Sequence, residues 1–183
     1  MALSLVLNPN IVQILKIEII EMDGLSGSGT KIYSFIVNDA NESLYEEFVR
    51  ENIKLFKKEV TNLDSRLEVV GNETGMEDEF YKTGIGKPLI HHICEFKDKP
   101  KANLRLFFIE EVQNNLIMLG SGGQKPKEKH AIQEVPLLDQ KRVQLMEIED
   151  LLRSAEKKGH FIINSDGTIN STTNFVYDTN DYE

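Results

Sequence analysis

The chain has 183 residues, of which 40% are hydrophobic and 28% charged, with one cysteine and a formal net charge of −9. That length suits a single domain with one core, and the lone Cys94 excludes an internal disulfide and fits a reducing compartment. No apolar run approaches the roughly 18 residues of a membrane-spanning helix, and "MALSLVLNPN" lacks the positive n-region and small-residue cleavage site of a secretory signal, so a cytoplasmic location with no membrane partner is expected.

The acidic total argues against nucleic acid, because phosphate binding runs on lysine and arginine. The distribution changes that reading. Residues 1–81 carry 7 Lys/Arg against 15 Asp/Glu, residues 82–158 carry 14 against 11, and residues 159–183 carry none against 4. A mildly basic middle therefore lies between two acidic ends, an asymmetry that bears on partners.

In chain order, "ILKIEIIEM" from Ile14 alternates apolar and polar side chains, and "KIYSFIV" from Lys31 is rich in β-branched and aromatic residues. Both predict strands joined by a Gly/Ser loop. Ser43-x-x-Glu46 is a capping-box signature ahead of apolar residues at helical spacing: Leu44, Tyr45, Phe48, Val49, Ile53 and Phe56, continuing to Val70. The pattern predicts two consecutive helices that break near "TNLD" and stop at Gly71–Asn72. "ETGMEDEFYKTGIGKP" reads as loop. "LIHHICEF", "LRLFFIEE" and "NLIMLG" then predict strands, the last two as an antiparallel meander about "VQNN".

Asp139 is the expected N-cap of a third helix carrying Leu145, Met146, Ile148, Leu152 and Ala155, which ends at Gly159. "HFIINSDGTI" predicts a short strand, and the polar stretch after it is expected to be disordered or weakly docked. The order fits an α+β domain over residues 1–158: a largely antiparallel sheet with an N-terminal helix pair and a C-terminal helix packed on it. Residues 159–183 form an acidic extension.

Two loops invite a phosphate. "GLSGSGTK" places Gly24 and Gly29 at the spacing of a nucleotide P-loop, but Thr30 stands at the lysine position and Lys31 at the hydroxyl position. A strand follows where a helix should present its N-terminus. In "GSGGQKPKEKH", Lys125 occupies the third-glycine position of a dinucleotide fingerprint and Pro126 bars a helix from opening there. No nucleotide cofactor is expected. What remains is a turn followed by Lys125, Lys127, Lys129 and His130, a cluster suited to a polyanionic backbone or, equally, to being a solvated basic loop.

Together these segments resemble the RelE/ParE/HigB superfamily of small bacterial toxins, the HigB-like branch most. "KIYSFIVNDANESLYEEFVRENIKLFKKEV" resembles the family's first strand and helix, and "DSRLEVVGNETG" its second helix with a glycine stop. "IHHICEFK" resembles the aromatic-Glu-Leu-Arg strand, with Glu95 and Lys97 at the matching places, and "LRLFFIEEVQNNLIMLGSGGQKP" resembles the arginine-led strand, turn and apolar strand ending in a basic loop. The match covers residues 31–155. Departures are the added N-terminal strand, the acidic extension, glycines where the family has phenylalanine before the lysines, and Lys97 in place of an arginine fork.

The resemblance implies a toxin that cleaves mRNA at the ribosome without a metal or other cofactor and is neutralised by an antitoxin protein. Such cleavage needs a base for the ribose 2′-OH, cations for the phosphorane, and an acid for the 5′-oxygen. Arg105 matches the family arginine and is the candidate for transition-state charge; a surface arginine on a strand is the plain alternative. Lys97 lies with Lys99 and Lys101 just upstream of Arg105, where clustered cations can lower a lysine's pKa enough to make it a base. His130 is the candidate acid or base, a solvated loop histidine being the plain alternative. Lys99, Lys101, Lys125, Lys127 and Lys129 would hold flanking phosphates. His91 and His92 are adjacent on a strand and point apart, so with Cys94 they make no zinc set. The alternative function is a non-catalytic acidic interaction module, or a protein-binding inhibitor on the same fold.

Overall fold

The alternation in Lys16–Glu21 forms strand β1, which buries Ile17 and Ile19. In the computed structural model, which describes residues 14–75, 81–82, 93–97 and 104–181, β1 pairs antiparallel with β2, Lys31–Val37. Helix α1, Leu44–Asn52, opens on the expected capping box: Ser43 N donates to Glu46 Oε2 at 2.7 Å, and Glu46 N donates to Ser43 Oγ at 3.3 Å. Helix α2, Lys57–Val69, follows, then one π turn, Val70–Thr74, out to Gly75 at φ 70°.

The break between the two helices comes earlier than "TNLD". Asn52 turns its amide back to donate to Phe48 O at 2.8 Å, while its carbonyl takes Leu55 N and Phe56 N, so the chain leaves α1 there. Thr61–Asp64 lies inside α2, where Val60, Leu63 and Leu67 at i, i+3 and i+7 anchor the buried stripe and override three weak helix formers.

Strands β3 (Tyr81–Lys82), β4 (Ile93–Lys97), β5 (Leu104–Glu111) and β6 (Leu116–Gln124) form an antiparallel meander, and β6 then pairs parallel with β2. With β9 (Val176–Asp178) on the far side of β1, the sheet order is β3-β4-β5-β6-β2-β1-β9. The class is α+β and the sheet largely antiparallel, β2–β6 being its parallel pairing among the described residues.

Both faces of that sheet are covered. Tyr45 and Phe48 of α1 and Val60, Leu63 and Leu67 of α2 pack with Phe96, Leu106, Phe108 and Leu119. Helix α3, Pro136–Lys157, sets Leu138, Leu145, Ile148, Leu152 and Ala155 against Phe35, Phe107, Ile109 and Met118 on the opposite face. Neighbours Phe107 and Phe108 thus serve different cores, which is why β5 reads as a continuous apolar run. Each fully buried large apolar side chain contributes about 1.5–3 kcal/mol relative to exposure.

Two further expectations are corrected. Helix α3 starts at Pro136, whose fixed φ suits the first helical position, and Asp139 sits within the first turn bonded to Arg142 at 2.8 Å. The far end behaves as read, with Gly159 at φ 73° after Lys158. The polar stretch after "HFIINSDGTI", expected to be disordered or weakly docked, joins the main sheet through β9 as far as it is described. Strands β7 (Phe161–Ile163) and β8 (Ile169–Ser171) form a hairpin, β9 pairs with β1, and Tyr177 is fully buried edge-on to Phe161 at 5.6 Å. Sparse but well-spaced apolar residues dock this stretch despite its polar average.

Candidate functional site

The meander brings Lys97, Arg105 and the root of the lysine loop to one end of the sheet. Lys97 of β4 stands opposite Arg105 of β5, which in turn stands opposite Gly123 of β6, and Leu104 pairs with Gln124 one step further on. The lysine loop begins at the next residue. Lys99 and Lys101 fall between β4 and β5, outside the described residues, as do His91 and His92.

Gly120 and Gly122 near the end of β6 serve packing, while a Cβ on Gly123 would meet only Leu138 Cδ1 at 3.8 Å. Between Leu106 and Phe108 the register slips, so Gly120 and Ser121 together face Phe107 in a bulge. A Cβ on Gly122 would lie 1.9 Å from Arg105 O, and one on Gly120 would lie 2.9 Å from Leu145 Cδ2. These positions need glycine so that β5 and α3 can approach. Beyond them the loop closes on itself. Lys129 N donates to Pro126 O at 3.1 Å and Lys125 Nζ donates to Lys129 O. His130 N and Ala131 N donate to Glu134 Oε1 at 3.0 and 2.7 Å, and those backbone bonds hold the Glu134 carboxyl below its usual range. Lys127 and His130 are exposed, while Lys125 and Lys129 are half-buried.

Arg105 points inward. It alternates with Phe107 and Ile109 and so shares the α3 face with Glu95, whose neighbour Ile93 belongs to the same core. Its Nε lies 3.4 Å from Glu95 Oε2, its Nη1 donates to Leu104 O at 2.9 Å, and both side chains are nearly withdrawn from water. A guanidinium so placed is matched to a carboxylate already. On the other face Cys94 Sγ donates to Glu110 Oε2 at 3.4 Å, and burial beside that carboxylate pushes the thiol far above its usual pKa.

"GLSGSGTK" is a structural clasp. Gly29 N and Thr30 N both donate to Gly71 O, Thr30 Oγ1 donates to Asn115 Oδ1 at 3.1 Å, and Asn115 Nδ2 donates to Gly29 O at 2.5 Å. Leu25 N and Ser26 N donate to Met22 O and Gly27 N to Thr30 O, so most of the loop's amides are engaged within the loop or on the π turn after α2.

A feature that sequence reading passes over is a cleft of about 550 Å³ between α1 and the first half of α3. It opens where β2 diverges from β6. Val37, Leu44 and Val143 give it apolar lining, with Glu42, Glu47, Asp139 and Glu147 among its charges. Lys141 spans its end, 3.5 Å from Glu47 Oε1, bonded to Glu51, and donating to Ser121 Oγ at 3.2 Å. Burial raises the Glu47 carboxyl against the pull of Lys141, and burial together with Asp150 raises Glu147. The available signal was the α3 stripe Leu137, Gln140, Gln144 and Glu147 at i, i+3, i+7 and i+10, a helix face distinct from the core face.

Among the described residues no group of His, Cys, Asp and Glu is arranged to hold a metal ion, and no helix is long and apolar enough to cross a membrane. No protein-family model matches the chain, and no curated protein or solved structure matches it either.

Proposed function

We propose that the chain is a toxin of RelE/HigB-like construction, an mRNA endonuclease acting at the ribosome without a metal and held in check by an antitoxin protein. The observation that carries this reading is the row Lys97–Arg105–Gly123, which joins the candidate base, the candidate phosphate cation and the root of the lysine loop across three adjacent strands. Lys125, Lys127 and Lys129, with Lys99 and Lys101, take flanking phosphates. Arg105 exchanges Glu95 for a phosphate oxygen as the phosphorane forms, since both are oxyanions that accept from the same guanidinium edge. Lys97 removes the 2′-OH proton, the 2′-oxygen attacks phosphorus, and His130 protonates the departing 5′-oxygen, leaving a 2′,3′-cyclic phosphate and a free 5′-hydroxyl.

Growth on induced expression tests this reading. Wild type should arrest growth, and both an Arg105→Ala/Lys125→Ala variant and a Lys125→Ala/Lys127→Ala variant, at equal soluble level, should not. The second variant spares the buried pair, so its failure to arrest cannot be a folding defect at Arg105. Arrest by both variants contradicts the reading.

A second reading, a non-catalytic protein-binding module on the same fold, is favoured by one observation: Arg105 is already matched to Glu95 inside the structure. It predicts a soluble, well-expressed wild type with no effect on mRNA.

A further inference from the structure

The cleft between α1 and α3 carries an inference that is independent of RNA. Its two cations are engaged: Arg50 Nε donates to Glu42 Oε1 at 2.7 Å, and Lys141 is held by Glu47 and Glu51. Asp139 is matched by Arg142 at 2.8 Å. Glu147 has no ion-pair partner among the described residues, and its charge is disfavoured by burial and by Asp150. At the mouth Leu137, itself part of the lining, is 74% exposed, and the lining continues along α3 as far as Glu147.

We propose that this cleft docks a basic amphipathic segment of a partner protein, with aliphatic side chains on Leu137, Val143 and Leu44 and one lysine or arginine against Glu147. Charge decides the sign of the occupant. The lining holds four carboxylates and two cations, both cations are satisfied internally, and the whole chain is at −9. An arriving cation would relieve the repulsion between Glu147 and Asp150, whereas an arriving carboxylate would add to it. Extent decides its size. The lining follows α3 from Leu137 to Glu147, about 15 Å of helix, more than a small organic cation spans. A segment lying along α3 covers it, as an amphipathic helix does in a groove.

The test uses the full chain and a labelled synthetic helix of leucine and lysine in heptad arrangement, with a counterpart carrying glutamate for lysine. Fluorescence anisotropy should show saturable binding of the lysine peptide and none of the glutamate one. Leu137→Asp and Glu147→Lys should each weaken binding about tenfold. The same chemical changes at exposed positions outside the cleft, Leu55→Asp and Glu68→Lys, should leave it within about twofold. Absence of saturable binding, equal binding of the acidic peptide, or equal weakening by all four variants would overturn the proposal, the last by showing general attraction to an acidic chain. Because no RNA enters the assay, its outcome is separate from that of the growth experiment.

Discussion

Arg105 Nε lies 3.4 Å from Glu95 Oε2 across adjacent strands, with side chains only 10% and 8% exposed. A buried pair of this kind adds little net stability, yet stranding one partner is costly. Arg105→Ala alone should therefore lower unfolding free energy by about 3 kcal/mol or more. A double Arg105→Met/Glu95→Leu variant, which removes both charges and keeps the volume, should return to within about 1 kcal/mol of wild type. Urea unfolding of the two singles and the double measures this as a cycle, and additive losses would show that the two side chains are not coupled.

Gly71 is a packing point where a methyl group has no room, since a Cβ there would lie 1.7 Å from Leu25 O. Gly71→Ala should cost about 3 kcal/mol by forcing the clasp loop off the π turn. Gly24 has nothing within 4 Å of a Cβ, so Gly24→Ala should change stability by less than about 0.5 kcal/mol. Thermal melts of the two variants side by side read this contrast, and similar losses in both would contradict the clasp.

Cys94 is buried and hydrogen-bonded to Glu110, with its thiol held well above the usual pKa. The thiolate is the reactive form, so modification by an aromatic disulfide reagent near neutral pH should run about a hundredfold slower in the native protein than in denaturant. Rapid native reaction would mean that this part of the sheet opens readily.

Glu147 has a carboxyl raised above its ordinary 4.5 by burial and Asp150. With the folded value above the unfolded one, its contribution favours folding below about pH 4.5 and is lost as pH rises through the raised value. Glu147→Gln should thus unfold at higher urea than wild type at pH 7, with the difference gone by about pH 4. A Gln variant less stable than wild type at pH 7 would show that Glu147 gains from its charge.

Much of this architecture can be read from the sequence where a side-chain period coincides with a terminating residue. The Ser43–Glu46 box, the alternation in Lys16–Glu21, the β5–β6 turn and Gly159 all have local causes. What is not legible depends on partners distant in sequence. Thr61–Asp64 reads as a break until Leu63 is seen in the core, and the polar stretch after "HFIINSDGTI" reads as disordered or weakly docked until its own Tyr177 is seen in the core. The site divides in the same way. Strand order brings Lys97, Arg105 and the lysine loop together, as their positions in the meander allow, but nothing in "LRLFFIEE" tells that Arg105 turns toward Glu95. The glycines before the lysines look like phosphate-loop residues, yet Gly122 sits against β5 and Gly120 against α3 where a Cβ would crowd its neighbour.

The proposed RNA chemistry is tested most directly by mapping mRNA 5′ ends shortly after induced expression, for wild type and for a Lys125→Ala/Lys127→Ala/Lys129→Ala variant. New 5′-hydroxyl ends within translated regions for wild type, absent for the variant at equal soluble level, are the expected result. An unchanged set of ends for wild type would contradict the endonuclease reading and leave the protein-binding module as the function of this fold.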